Sequence, residues 1–246
     1  LYYAATEASM EIAKSDGPYP KFEGSPASQG ILQPDLWKVT PQTDLPWDQL
    51  RKDVMNHGIR NSLLIALMPT ASTAQIMGNN ESIEPYTSNI YTRRVLSGSF
   101  LCINSHLVDD LIALNLWDDD MRQEIIAERG SVQRIARIPQ NLKALYKTAW
   151  ELKGKTLLDL AAGRAPFVDQ TQSLNAFMAQ PTTSKLSSYH FYGWEQGLKT
   201  GLYYLRSKPA ADAVQFTVSR RPSYQPSKPE EEEDESCPIG CTSCGA

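Results

Sequence analysis

An α/β fold is what this sequence predicts, from three observations. Apolar residues recur at helical spacing in several segments, a short aliphatic run between them has the width of a buried strand, and no internal repeat interrupts the alternation. The 246 residues suffice for one large domain or two small ones at roughly 150 residues per domain. With 41% hydrophobic and 21% charged residues and a mean hydropathy of -0.40, the composition is that of a globular chain with a sizeable core.

Residues 1–15 read as a helix closed by Gly17 and Pro18, and the Gly-, Ser- and Pro-rich stretch from Pro18 to Pro34 reads as loop. Pro46, followed by Trp47, Leu50 and Val54, opens a second helix that Gly58 stops. Leu63–Met68 is apolar throughout, as in a parallel strand covered on both faces. It is the longest unbroken aliphatic run and far shorter than the roughly 20 residues of a membrane span. Helices are expected near Ser105–Leu116, Asp118–Arg129 and Pro139–Leu152, the last with Leu142, Leu145, Tyr146, Ala149 and Trp150 on one stripe. Further strands are expected at Phe167–Gln170, Leu202–Arg206 and Ala213–Val218. Residues 219–236 are Pro, Ser, Arg, Lys and Glu with little to bury, so the domain boundary is placed after Val218, with residues 1–218 folded and residues 219–246 forming a flexible tail.

Charge argues against a nucleic-acid surface. The 28 acids and 24 bases give -4, and six of the acids form the block Glu230–Glu235, so the remainder is only mildly basic. Leu1 opens a segment with neither a basic region nor an apolar run, so no secretory signal is expected and the chain reads as a C-terminal fragment.

Three segments could carry chemistry. Thr70, Ala71, Ser72 and Thr73 form a hydroxyl-rich turn between the aliphatic run and a short helical stretch, where backbone N–H groups and hydroxyls can hold a phosphate. Simple N-capping by Ser72 or Thr73 explains the same residues, and no Gly-x-x-x-x-Gly-Lys loop is present. Tyr203 and Tyr204 could pass an electron together with a proton, since a phenol of pKa about 10 must lose its proton to give a neutral radical. Two half-buried strand residues facing opposite sides would look the same, and Tyr2-Tyr3 repeats the dipeptide elsewhere. Cys241 and Cys244 form a Cys-x-x-Cys dithiol on the tail, suited to disulfide exchange. With Cys237 they could instead bind zinc, or an iron–sulfur cluster of the radical-SAM kind. Cys102 reads as a core residue. Asn79–Glu84 and Arg93-Arg94 are polar runs able to touch a ligand or merely face solvent, and His57, His106 and His190 share no metal-ligand spacing.

The runs Arg60–Ile65, Met68–Gly98 and Gly197–Arg206, together with the terminal Cys-x-x-Cys, closely resemble the large subunit of class I ribonucleotide reductase of the eukaryotic type. The resemblance extends from about residue 1 to Arg206. Leu67 stands where that family usually has proline, and Gly163–Pro166 departs from its usual run. The resemblance implies the C-terminal part of a ten-stranded α/β barrel with surrounding helices. It implies that Thr70–Thr73 hold the diphosphate of a ribonucleoside diphosphate, and that Tyr203 and Tyr204 relay a radical from the di-iron tyrosyl site of a small subunit. A pair in regular strand geometry would point apart, so such a relay needs a local departure from it. It further implies that Cys241 and Cys244 shuttle reducing equivalents from thioredoxin or glutaredoxin, with Cys237 unassigned. Also implied are a large-subunit homodimer, a cytoplasmic location and ATP or deoxynucleotide effectors bound by regions upstream, with no cofactor, metal, DNA or membrane bound by this segment. The radical cysteine would also lie upstream, leaving this chain without turnover alone. The rival reading is a non-catalytic nucleotide- or partner-binding module with a metal-binding cysteine tail, and the third a radical-SAM activase.

Overall fold

The computed structural model describes residues 1–41 and 44–208. In chain order the helices are α1 (Tyr2–Asp16), α2 (Gln33–Leu36), α3 (Trp47–His57), α4 (Ala71–Met77), α5 (Ser105–Ala113), α6 (Asp119–Ala127), α7 (Gln140–Leu145), α8 (Gly154–Arg164) and α9 (Thr183–Glu195). The strands are β1 (Ile90–Val95), β2 (Gly98–Ile103), β3 (Ala176–Phe177) and β4 (Leu205–Arg206). The chain divides into two compact units, one of Leu1–Glu84 with Lys153–Ser207 and one built on Pro85–Leu152.

In the first unit, Tyr2, Thr6, Ser9, Met10 and Ala13 line one face of α1, the spacing that a 3.6-residue period requires. Gly17, at φ 78°, ends the helix and returns its N–H to Ala13. Trp47, Leu50 and Val54 of α3 pack with Tyr2, Met10, Phe22, Leu32 and Ile59 into one core. Gly58 cannot be replaced cheaply, because a Cβ there would lie 2.5 Å from Pro18 Cβ. The loop from Pro18 onward is as the sequence suggests, except for a 3-10 turn at Ala27–Gln29 and the short α2, where Asp35 accepts from the Leu32 N–H and pairs with Arg51 at 2.9 Å. A second core joins Leu158 and Ala161 of α8 with Leu174, Ala176 and, from α9, Tyr189.

The strand expectations need correction. Leu63–Met68 is extended but joins no sheet, and Leu63 and Met68 are exposed rather than covered. The physical reason is its hydrogen bonding: Leu64 and Ile65 N–H both donate to Asp169 Oδ2, at 2.8 and 2.9 Å, where a ladder would supply backbone carbonyls. Phe167–Gln170 is not a strand either, since Pro166 sits in a 3-10 turn ending at Phe167. Leu202–Arg206 contracts to β4, parallel to β3 with Ala176 opposite Leu205. The expected strand Ala213–Val218 lies outside the described residues. Among the described residues the strands form two-stranded pairs and no closed sheet, and the overall class is mixed helix and strand.

In the second unit β1 and β2 form an antiparallel hairpin, Tyr91 facing Cys102, which the apolar pattern alone does not announce. Cys102 is therefore a half-buried hairpin residue and not part of the core. Helices α5 and α6 begin at Asn104 and Asp118, whose side chains accept from the N–H groups of His106 and Met121. The helix expected over Pro139–Leu152 breaks after Leu145, because Ala149 gives its N–H to Tyr86 and Thr148 and Glu151 open a separate 3-10 turn. Leu145 consequently faces solvent while Leu142 and Tyr146 join Leu107, Leu111, Met121, Ile125, Val132, Ile135 and Ile138 in the core. Asn89 sits fully buried among them and donates to the carbonyls of Gly130 and Tyr146, both at 2.9 Å. Helices α8 and α9, in the first unit, are additions to the elements expected from sequence, although Thr182 caps α9 by accepting from Lys185 N–H.

Candidate functional site

Thr70 precedes α4 in the left-handed region at φ 57°, a conformation costly for a β-branched residue. Two hydrogen bonds hold it there: its hydroxyl donates to Pro69 O at 2.7 Å and accepts the Ser82 N–H at 2.9 Å. The first bond of α4 runs from Ala74 N–H to Thr70 O at 2.7 Å, so the N–H groups of Ala71, Ser72 and Thr73 have no acceptor within the helix. Ala71, Ser72 and Thr73 are exposed. Neither Ser72 nor Thr73 stands at the capping position, which Thr70 occupies without a side-chain cap. At seven residues α4 adds little macrodipole of its own, and the turn's donors are its backbone N–H groups and hydroxyls.

Tyr203 and Tyr204 do depart from strand geometry. They lie just ahead of β4, their ring centroids are 4.2 Å apart at 54°, and Tyr204 Oη donates to Tyr203 Oη at 3.4 Å. That bond is the first cause of a raised Tyr203 pKa, so the phenol must give up a proton as well as an electron to become a neutral radical. Both rings are about half exposed.

One segment, expected from sequence to begin as a strand over Phe167–Gln170 and otherwise left unassigned, organises both places. Asp169 and Ser173 hold the extended run ahead of the turn, Ser173 N–H donating to Leu67 O at 3.3 Å. Ser82 Oγ, on the residue that anchors Thr70, donates to Ser173 O at 3.4 Å. On its other side the same segment takes Tyr203 N–H on Leu174 O at 2.6 Å and Tyr204 N–H on Asn175 Oδ1 at 3.1 Å. The hydroxyl turn and the tyrosine pair are thus tied to one stretch of backbone. Its signal in the sequence is the polar run Asp169–Ser173, followed by Asn175, set between the apolar residues Phe167-Val168 and Ala176-Phe177.

Of the polar runs, Asn79–Glu84 closes on itself, Asn80 donating to Glu84 O at 2.6 Å, whereas Arg93 and Arg94 lie on β1. Among the described residues no group of three or more His, Cys, Asp or Glu side chains could hold a metal, and no helix is long and apolar enough to cross a membrane. Cys237, Cys241 and Cys244 lie outside the described residues.

Comparison with known proteins gives the family. Residues 1–204 match the family model of the ribonucleotide reductase barrel domain. The chain is 54% identical over 243 residues to the ribonucleoside-diphosphate reductase large subunit of Caenorhabditis elegans, covering 96% of this chain and 31% of the relative. It is 59% identical over 219 residues to that of Plasmodium falciparum (isolate Dd2), covering 89% and 27%, and 55% identical over 235 residues to that of Danio rerio, covering 96% and 30%. The chain thus spans about a third or less of these relatives. With a family match reaching from Leu1 through Tyr204, the chain belongs to the ribonucleotide reductase barrel-domain family.

Proposed function

We propose that this chain is the C-terminal portion of the catalytic large subunit of a ribonucleoside-diphosphate reductase, and that it supplies substrate binding, radical relay and tail thiols to a site completed by the rest of that subunit. The observation that carries the proposal is the tyrosine pair, two phenols 3.4 Å apart against the tendency of extended backbone to separate them. In the relay, one phenol gives its hydrogen atom, an electron with a proton, to the phenoxyl radical of the other, so that phenol and phenoxyl exchange places. The last phenoxyl takes a hydrogen atom from a cysteine thiol upstream of this chain, leaving a thiyl radical and an intact tyrosine. A di-iron tyrosyl site in a radical-generating small subunit would supply the first oxidising equivalent.

The N–H groups and hydroxyls of Thr70–Thr73 suit the diphosphate of a ribonucleoside diphosphate, and the two anchors on Thr70 keep the turn in its strained shape before ligand arrives. The exposed apolar side chains of Leu63, Met68, Ile76 and Met77 are consistent with a complete ten-stranded barrel, whose neighbouring strands would cover them. Cys241 and Cys244 would reduce the active-site disulfide by thiol exchange and be reduced in turn by thioredoxin or glutaredoxin. The complete enzyme would be a cytoplasmic large-subunit homodimer regulated by ATP and deoxynucleotides. The test is Tyr203→Phe and Tyr204→Phe in a complete large subunit with its small subunit. Phenylalanine has no oxidisable O–H, so each variant should bind substrate normally and lose turnover. Retained turnover in either would overturn the relay.

A further inference from the structure

Something must make two adjacent residues face the same way, and the structure places the answer on Leu174–Ala176. Three hydrogen bonds clamp the turn there: Tyr203 N–H to Leu174 O, Tyr204 N–H to Asn175 Oδ1, and Ala176 N–H to Tyr204 O at 2.9 Å. The middle bond alone uses a side chain, so it alone depends on how that side chain is turned. Asn175 is buried, and its side-chain and backbone amides are directed at the Glu84 carboxylate. Arg206 adds its charge to the same carboxylate, and its guanidinium carbon lies 5.1 Å from the centre of the Tyr204 ring. Glu84 therefore reaches Tyr204 from two directions, through Asn175 to the amide and through Arg206 to the ring.

One of the two Glu84 oxygens gains nothing for the fold by being there. Glu84 Oε1 is buried with no hydrogen-bond partner among the described residues, as is Tyr189 Oη. Burial pushes the Glu84 carboxyl above its ordinary range, while the Asn175 amides pull it back. Burial first and the Glu84 charge second push Tyr189 up to about 12. A carboxylate oxygen kept from water without a donor lowers stability, so a carboxylate at this place calls for a reason other than folding.

We propose that Glu84 is a positioning residue of the tyrosine pair: it orients Asn175, whose carbonyl then holds the Tyr204 amide and brings the two phenols together. The geometric component stands by itself, and only its consequence for turnover rests on the relay proposed above.

The test uses a complete large subunit carrying this chain, with three variants. Glu84→Gln removes the charge. Asn175→Asp keeps the acceptor for Tyr204 but sets a second carboxylate against Glu84. The double variant Glu84→Gln with Asn175→Asp exchanges donor and acceptor and restores the contact. Hydrogen–deuterium exchange of the peptide spanning residues 201–206 reads the clamp, and exchange across Ser105–Ala113 checks that the fold is intact. Asn175→Asp should speed exchange of the first peptide about tenfold, because repulsion by the Glu84 carboxylate turns the new carboxylate away and weakens its bond to the Tyr204 N–H, with the second peptide unchanged. With the small subunit present, kcat should fall while KM for the nucleoside diphosphate holds, and the double variant should recover both exchange and kcat. Glu84→Gln alone should lower kcat without lowering the melting temperature, a split that a merely structural carboxylate would not give. Wild-type exchange in both single variants, or no recovery in the double variant, overturns the positioning role. The expected exchange pattern with unaltered turnover supports the positioning role and overturns the relay.

Discussion

Asp169→Ala should uncouple the extended run from the segment that organises the site. Asp169 Oδ2 accepts two backbone N–H bonds, from Leu64 at 2.8 Å and Ile65 at 2.9 Å, while its own N–H returns to Ile65 O at 3.0 Å. Only the first two depend on the side chain. Bonds to a charged acceptor contribute about 1.5–3 kcal/mol each, and because Asp169 is half-buried and water can partly replace it, each is discounted below that range to about 1 kcal/mol, or about 2 kcal/mol together. For a protein of this size that is a fall of about 4–8 °C in melting temperature. Asn at the same position keeps one acceptor oxygen without the charge, so about half the fall is expected. Differential scanning calorimetry gives the stability, and hydrogen exchange of residues 62–66 shows whether the loss is local. In the complete subunit the freed run should also loosen the Thr70 turn and raise KM for the nucleoside diphosphate more than it lowers kcat. A shift below about 1 °C with unchanged exchange at residues 62–66 would refute the reasoning, because the two bonds would then carry no net stability.

In a complete large subunit, and on the function proposed above, Cys241→Ser with Cys244→Ser should spare turnover supported by dithiothreitol and lose turnover supported by thioredoxin, since a small thiol would reach the active-site disulfide directly. Equal loss with both reductants in a steady-state assay would favour a structural role for the tail. Asp118, which caps α6 and pairs with Arg137, gives a pH signature. The Arg137 guanidinium first, and the Met121 N–H second, hold its carboxyl down to about 2. Because the folded value lies below the unfolded one of about 3.9, the stabilisation is complete above pH 4 and is lost as pH falls through about 2. Acid titration followed by circular dichroism should therefore show a low-pH transition whose midpoint rises in Asp118→Ala, and an unchanged midpoint would remove the pair from the account.

Helices with a one-sided apolar period were legible where capping and stop residues bracketed them. Residues 1–15 and the segment from Pro46 to Gly58 appear within a residue or two of α1 and α3, because Gly17 and Gly58 take positive φ that other residues resist. Pro139–Leu152 failed for the opposite reason: its apolar stripe was real, but Ala149 found a better hydrogen-bond partner in Tyr86, distant in sequence. Hydropathy also misjudged Leu63–Met68, since an apolar run says that a segment prefers burial and not which strand lies beside it. At the site, the hydroxyls of Thr70, Ser72 and Thr73 and the adjacency of Tyr203 and Tyr204 could be read directly, whereas Asp169, Ser173 and Asn175 could not. Their importance lies in contacts up to 105 residues away in sequence.

The amino-acid sequence by itself determined the family, the main helices and the chemical types present at the turn and the tyrosine pair, because these depend on local composition and order. Tertiary structure decided the φ of Thr70, the convergence of two phenols that extended backbone would separate, and the placing of a half-buried carboxylate behind them. Each of those draws on a hydrogen bond between residues 12 or more apart in the chain, and such a bond exists only once packing has brought its donor and acceptor together.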